Sequence, residues 1–186
     1  MDSFISFIEG YVQLNENIKD DILSVSEELT FKKGEEILAI GKTCKYLYFL
    51  NTGSVRSFIY QKGKDITHWV YAPNSLFTSW GSYILQNPSS EYLEAIDNCN
   101  VIAISHSNWQ KLYEKHSQLE KYGRLMIEQE LAIIDEFYKG YYFLSAKEKY
   151  ELLISVYPNI TQIANLGHIA SMMGISQETL SRIRST

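Results

Sequence analysis

The spacing of apolar residues changes twice along the chain. To about Glu28, Phe4, Phe7, Ile8, Tyr11 and Val12 recur at intervals of three and four, which predicts an amphipathic helix. From Leu29 to Ser105 the pattern shortens. Runs rich in aliphatic and aromatic residues (Tyr46 to Leu50, Val55 to Tyr60, Ile66 to Tyr71, Tyr92 to Ile96, Val101 to Ser105) alternate with turn signals at Lys33-Gly34, Ile40-Gly41, Asn51-Thr52-Gly53, Lys62-Gly63 and Pro73-Asn74. Many short strands at regular spacing predict a sandwich, barrel or jelly roll. After Ser105 the period is helical again, with a short helix over 107–116 and a long, proline-free one from about Gln118 to Phe143.

On that long helix Leu119, Tyr122, Met126, Ile133 and Phe137 fall near one stripe. A helix of about 25 residues is roughly 37 Å long, more than a small β domain covers. The stripe therefore predicts self-association, with Tyr122, Met126, Ile133 and Phe137 at a dimer interface. Gln129 and Glu130 interrupt it, so it is not a strict coiled coil, and packing on the chain's own β domain is the alternative. Ser145-Ala146-Lys147-Glu148 then forms a capping box ahead of Tyr150, Leu152, Leu153 and Ile154, which starts a further helix and a new small domain. Pro158 ends that helix or follows its end.

Residues 166–185 have the layout of a helix-turn-helix. Ala170 is the small residue where two helices approach. Gly174, four residues on, permits the positive φ of a tight turn. Ile169, Met173, Ile175, Leu180 and Ile183 are the apolar set, and Ser176 is placed to cap the second helix. The outer face of that helix then presents Gln177, Glu178, Ser181 and Arg182. This is base-reading chemistry, since Arg pairs with guanine, Glu accepts from cytosine and Gln pairs with adenine. Ser176 and the helix N-terminus can hold a phosphate. The plainer alternative is a helical hairpin with a polar outer face.

Composition narrows the function classes. Of 186 residues, 45% are hydrophobic and 21% charged, an ordinary globular balance. The start of the chain lacks a basic leader and a small-residue cleavage site, and reads as a helix rather than a signal peptide. No apolar run approaches the ~18 residues of a membrane helix, so no membrane contact is expected. Two distant cysteines, Cys44 and Cys99, suit a reducing cytoplasm and are too few for an iron–sulfur cluster. The four histidines form no metal-ligand spacing, so neither metal nor cofactor is expected. His68, beside Trp69 in a predicted strand, reads as structural. The net charge of −5 does not advertise nucleic acid, but it is uneven. Residues 145–186 carry four basic and three acidic residues, hence +1, and the remainder 13 and 19, hence −6.

Three stretches together resemble the Crp/Fnr superfamily, in particular its short Bacteroidetes-type regulators. FKKGEEILAIGKTCKYLYFLNTGSVRSF is similar to the first β-roll signature of that family, with Gly34, Gly41 and Gly53 at its turns. WQKLYEKHSQLEKYGRLMIEQELA resembles the linker into its dimer helix, and LSAKEKYELL followed by HIASMMGISQETLSRIR resembles its DNA-binding end. The resemblance implies an α+β fold. A double-stranded β-helix (jelly-roll) sensor would span residues 1–116, a dimerisation helix 117–144 and a helix-turn-helix 145–186. It implies a cytoplasmic, non-enzymatic transcription regulator, homodimeric on a palindromic double-stranded operator. A small-molecule effector and RNA polymerase are its further partners.

The family's recognition helix reads Arg-Glu-Thr-Val-x-Arg, against Gln177-Glu178-Thr179-Leu180-Ser181-Arg182 here. Glu178 and Arg182 match, and Gln177 departs. In cyclic-nucleotide-binding members a Gly-Glu-Leu stretch holds the ribose and an Arg before Ser or Thr holds the phosphate. The corresponding effector positions are Asn74, Ser75 and Leu76, and Ser89 and Ser90. Ser75 replaces the glutamate and Ser89 the arginine, so ordinary cyclic AMP binding is not expected.

Two rivals remain. A cupin-type oxygenase would need clustered histidines and a carboxylate, which are absent. A β-roll sensor or interaction protein that has lost DNA binding is the alternative favoured by the weakly basic C-terminal region. A chain end at Thr186 also leaves no room for a wing hairpin after the second helix.

Overall fold

The computed structural model describes residues 1–185; the side chains at 137, 140 and 141 are outside the described groups. The first helical region is two helices, α1 (Asp2–Glu9) and α2 (Glu16–Ser24), because Asn15 caps a new start by accepting from the Ile18 N–H at 3.0 Å. Eight strands follow: β1 (Glu27–Phe31), β2 (Glu36–Leu38), β3 (Tyr46–Thr52), β4 (Val55–Gln61), β5 (Lys64–Tyr71), β6 (Ser75–Phe77), then, after helix α3 (Trp80–Leu85), β7 (Tyr92–Ala95) and β8 (Cys99–Ser105). The helical part comprises α4 (His106–Lys115), α5 (Ser117–Phe143), α6 (Ala146–Val156), α7 (Ile160–Ile163), α8 (Leu166–Met172) and α9 (Gln177–Arg184).

The strands form two antiparallel four-stranded sheets, in the orders β1-β8-β3-β6 and β2-β7-β4-β5. Tyr48, Leu50, Val55, Tyr71, Phe77, Leu93 and Val101 belong to the buried core of this roll, whose interior is closed by rings. Tyr48 stacks on Phe77 at 4.8 Å and Tyr71 meets the same ring at 5.7 Å. Outside the first sheet, Phe49 takes Phe4 and Phe7 of α1 at 5.2 and 5.3 Å. β2 and β6 have three residues each, too short to show a period in the sequence.

The apolar stripe of α5 proves to be divided. Leu119, Tyr122 and Met126 are 0%, 0% and 4% exposed, and Tyr122 packs between Trp109 of α4 and Tyr11. Tyr122 and Met126 are thus part of the protomer's own core, a correction to their expected place at a dimer interface. Ile133, farther along, is 39% exposed, and Phe137 lies outside the described side chains. A second apolar row, Ile127, Leu131, Ile134 and Tyr138, spaced four, three and four residues apart, is exposed, with Leu131 at 64%. Periodicity alone does not say which of two adjoining faces meets the β-roll.

Beyond α5 a second core forms around Leu153, Ile160, Ile169, Ala170, Met173 and Leu180, and it includes Val70 of β5. Helix α8 therefore lies on the outer face of the second sheet. The Thr67 N–H donates to Ser171 Oγ at 2.9 Å, Ser54 Oγ donates to the Ile163 carbonyl at 3.1 Å, and Trp69 meets Tyr157 edge-on at 5.8 Å. Beneath α8, Arg56 is buried with three partners at 3.0 Å each, Thr67 Oγ1, Asp65 and Glu94, and lies 4.1 Å over the Phe58 ring. A buried cation persists only when paired, and two carboxylates pair this one.

The β3–β4 turn sets the connection to this sheet. Gly53 has φ +88°, and a Cβ there would overlap the Asn98 carbonyl oxygen and lie 2.8 Å from Cys99 Sγ. Gly53→Ala combines a left-handed backbone with an overlap against main chain. It should lower unfolding free energy by ~2–4 kcal/mol in urea denaturation. A loss below about 1 kcal/mol would show that the turn gives way easily.

Candidate nucleic-acid interface

The candidate surface is assembled by four helix caps. In the capping box Ser145 Oγ accepts from the Glu148 N–H at 3.4 Å, and the Ser145 N–H donates to the Glu148 carboxylate at 2.8 Å. Those bonds hold the Glu148 carboxyl below its ordinary pKa. α6 starts there and ends at Tyr157, one residue before Pro158, whose predecessor is disfavoured in a helix. Asn165 caps α8, its Oδ1 accepting from the His168 N–H at 2.8 Å.

α8 ends at Gly174, φ +65°, where the Gly174 N–H donates to the Ser171 carbonyl and the Ile175 N–H to the Ala170 carbonyl, both at 3.0 Å. This pair of bonds is the Schellman termination, which needs a left-handed residue at the place glycine holds. Ser176 then caps α9, its Oγ accepting from the Thr179 N–H at 3.2 Å. Ala170, Ile169 and Leu180 are buried where the two helices meet, and Ile175 and Ile183 are half-buried. The result is two short helices, α8 and α9, packed against each other across a glycine turn.

Ser176, Gln177, Glu178, Ser181 and Arg182 are all exposed on one side of the motif, away from its core. The Glu178 carboxyl is held below its ordinary pKa by a hydrogen bond from Ser176 first, then its own backbone N–H, with the Arg182 charge adding to this. It is therefore an anion and an acceptor at neutral pH. Arg182 and Arg184 lie in the last turn of α9, where cations suit the helix dipole.

The five effector positions are placed differently. Asn74 has φ +63° and its N–H donates to the Leu50 carbonyl at 2.7 Å. Ser75 Oγ donates to the Ala72 carbonyl at 2.7 Å, and Leu76 is buried. Ser89 is buried, donates to the Glu91 carbonyl at 2.8 Å, accepts from the Glu91 N–H at 3.1 Å and lies 3.0 Å from Ser79 Oγ; Ser90 is exposed. The Ser79–Ser89 contact brings the two stretches side by side. Ser75 fastens its own loop and Ser89 ties its loop to Ser79, and the buried Arg56 sits on the outer face of the sheet, toward α8.

The docking residues Arg56, Thr67, Val70 and Ser171 escaped the sequence reading. A lone arginine in the aromatic run from Val55 to Tyr60 was the available signal. No group of three or more His, Cys, Asp or Glu side chains among the described residues is placed to hold a metal. No helix among them is long and apolar enough to cross a membrane.

Residues 28–116 match the family model described as cyclic nucleotide-binding domain. No curated protein matches the chain in sequence. Among solved structures it is similar to FixK2 from Bradyrhizobium japonicum, at 21% identity over 87% of this chain and 83% of that one, with a TM-score of 0.71. It is similar to CLP of Xanthomonas campestris, a c-di-GMP responsive global regulator, at 14% identity over 92% and 90%, TM-score 0.65. It is also similar to the catabolite activator protein of Thermus thermophilus, at 20% identity over 92% and 83%, TM-score 0.58. Residues 28–116 are thus similar to the cyclic nucleotide-binding domain, in a chain that shares the fold of these three proteins.

Proposed function

We propose that the chain is a sequence-specific DNA-binding transcription regulator that acts in the cytoplasm as a homodimer. The observation that carries this reading is α9, a capped helix on a Schellman turn with Glu178, Ser181 and Arg182 exposed along one side. Arg182 pairs with a guanine edge, Glu178 accepts from a cytosine amine, Gln177 sets a preference of its own, and Ser176 with the first turn of α9 takes a phosphate. Two such helices related by a two-fold axis enter successive major grooves, which makes the operator palindromic. Residues 1–116 are the sensor, 117–144 the dimer helix and 145–186 the DNA-binding domain in this reading.

The dimer seam is the exposed row Ile127, Leu131, Ile134 and Tyr138, whose alternation of four and three residues suits a two-helix packing. A β-roll ligand other than a cyclic nucleotide is the effector class. Phe77, Tyr48 and Tyr71 occupy the interior, and neither Ser75 nor Ser89 supplies the charge that a ribose and a cyclic phosphate use elsewhere. A sensor protein without DNA binding is the second reading, favoured by the +1 charge of residues 145–186.

Three outcomes follow. Arg182→Ala should weaken operator binding by ~1–3 kcal/mol and relax base preference at one symmetric position, with Glu178→Ala relaxing a neighbouring one at smaller loss. Uniform weakening on every sequence would remove α9 as the reader. Leu131→Glu should convert dimer to monomer in sedimentation velocity, and a native chain that sediments as monomer at micromolar concentration would contradict the seam. Titration calorimetry with cyclic AMP and cyclic GMP should show no binding tighter than about 100 μM, roughly 5.5 kcal/mol. A micromolar dissociation constant would overturn this account of the roll.

A further inference from the structure

We propose that His168 is a proton-operated latch: neutral, it lets α8 rest on the second sheet, and protonated, it drives α8 off. His168 lies on α8 one turn before Ser171, which accepts the bond from Thr67 of β5. Its surroundings fix how its ring is protonated. Asn165 Oδ1 is committed to the His168 backbone N–H as the helix cap, so the Asn165 amide nitrogen is the atom 3.3 Å from His168 Nε2. That nitrogen has hydrogens only to give, hence Nε2 accepts and the neutral ring carries its proton on Nδ1. Nδ1 is buried with no hydrogen-bond partner.

A second proton would have to go to Nε2. There it would point its hydrogen at the Asn165 amide, replacing a hydrogen bond with two opposed donors. Turning the amide over would present Nδ2 to the His168 N–H and break the cap. The charge would also stand near Arg56 of β4, with Asp65 of β5 and Glu94 of β7 opposing, although both carboxylates are already bonded to Arg56. Lys33 and Asp97, of opposite charge, line the same cleft from the β-roll side. Burial first and Arg56 second hold the imidazole below its ordinary pKa.

The sign follows. A released His168 meets water and takes a proton at the usual value near 6.5, whereas the docked one resists it. Docking is therefore complete above about pH 6.5 and weakens as pH falls toward the docked value. A cleft of about 410 Å³ between Glu94, Ile96, Gln162 and His168 opens to solvent and gives the proton its route. The latch concerns the docking contact alone and does not depend on DNA reading.

The test is hydrogen–deuterium exchange of the full chain, corrected for intrinsic rates, at about pH 7.5 and about pH 5.5, on either side of the free histidine value. Peptides spanning residues 64–71 report β5. The native chain should lose protection there several-fold at the lower pH. His168→Gln should abolish the step, and His68→Gln should retain it, because His68, although also on β5, is exposed and pairs with Glu91, just before β7, at 2.6 Å. Equal native protection at both pH values, a step that survives in His168→Gln, or a step lost in His68→Gln would each overturn the proposal. Nuclear magnetic resonance titration of the native imidazoles gives an independent reading if His168→Gln does not fold. His168 should titrate below free histidine, and an ordinary or raised midpoint would overturn the latch.

Discussion

Strand β5 belongs to two cores at once. Tyr71 points into the β-roll, while Val70, next to it, is buried among Ile169, Ala170, Met173 and Leu180 of the α8–α9 pair. Alternation of side chains along a strand allows this, and it also means that a one-residue slip would exchange the two sets. The pairing with β4 carries an irregularity between Ser57 and Phe58, opposite Trp69 and Thr67. The extra residue, His68, is turned out to solvent, and Thr67 is brought to the same side as Val70, where it meets both Arg56 and Ser171. The bulge is thus what lets one short segment pair with its sheet, hold a buried cation and receive α8.

From this shared strand the division of labour along α5 becomes intelligible. Its first half packs on the roll through Leu119, Tyr122 and Met126, fixing where the helix begins and which way it points. Its second half runs past the roll with an exposed apolar row. Because α8 is seated on β5, the orientation of α9 relative to α5 is set by contacts within one chain. In the proposed dimer the spacing of two recognition helices would then follow from two settings, the α5 seam and the α8 seat, and His168 adjusts the second.

Much of this was legible in the sequence, for physical reasons that differ by region. The five strands with long apolar runs, the proline-free α5, the Ser145 capping box, Gly174 and Ser176 each depend on local chemistry that residues two to four apart determine, and each is found in place. The faces of α5 were not legible, because the choice between Tyr122 and Leu131 as the buried residue depends on where Trp109 and Tyr11 arrive from elsewhere in the chain. Nor was the docking of α8, since Arg56 reads alone as an oddity in an aromatic strand until Asp65 and Glu94 are brought to it from two others. Strands β2 and β6 were missed for want of length, and β1 because Glu27–Phe31 carries only two apolar residues, Leu29 and Phe31, and begins where the helical pattern was still read.

The account stands or falls on α9 as a reader of sequence, in a protein whose C-terminal region is only weakly basic. Selection of bound fragments from a random DNA pool by the purified full chain, at low and at near-physiological salt, addresses that directly. The account predicts one enriched motif, a palindrome with half-sites about one helical turn, 10–10.5 base pairs, apart, whose affinity falls with salt less steeply than that of strongly basic regulators. A pool that emerges without a motif would contradict it and leave the chain a sensor that does not read DNA, and a single unrepeated half-site would contradict the two-fold arrangement.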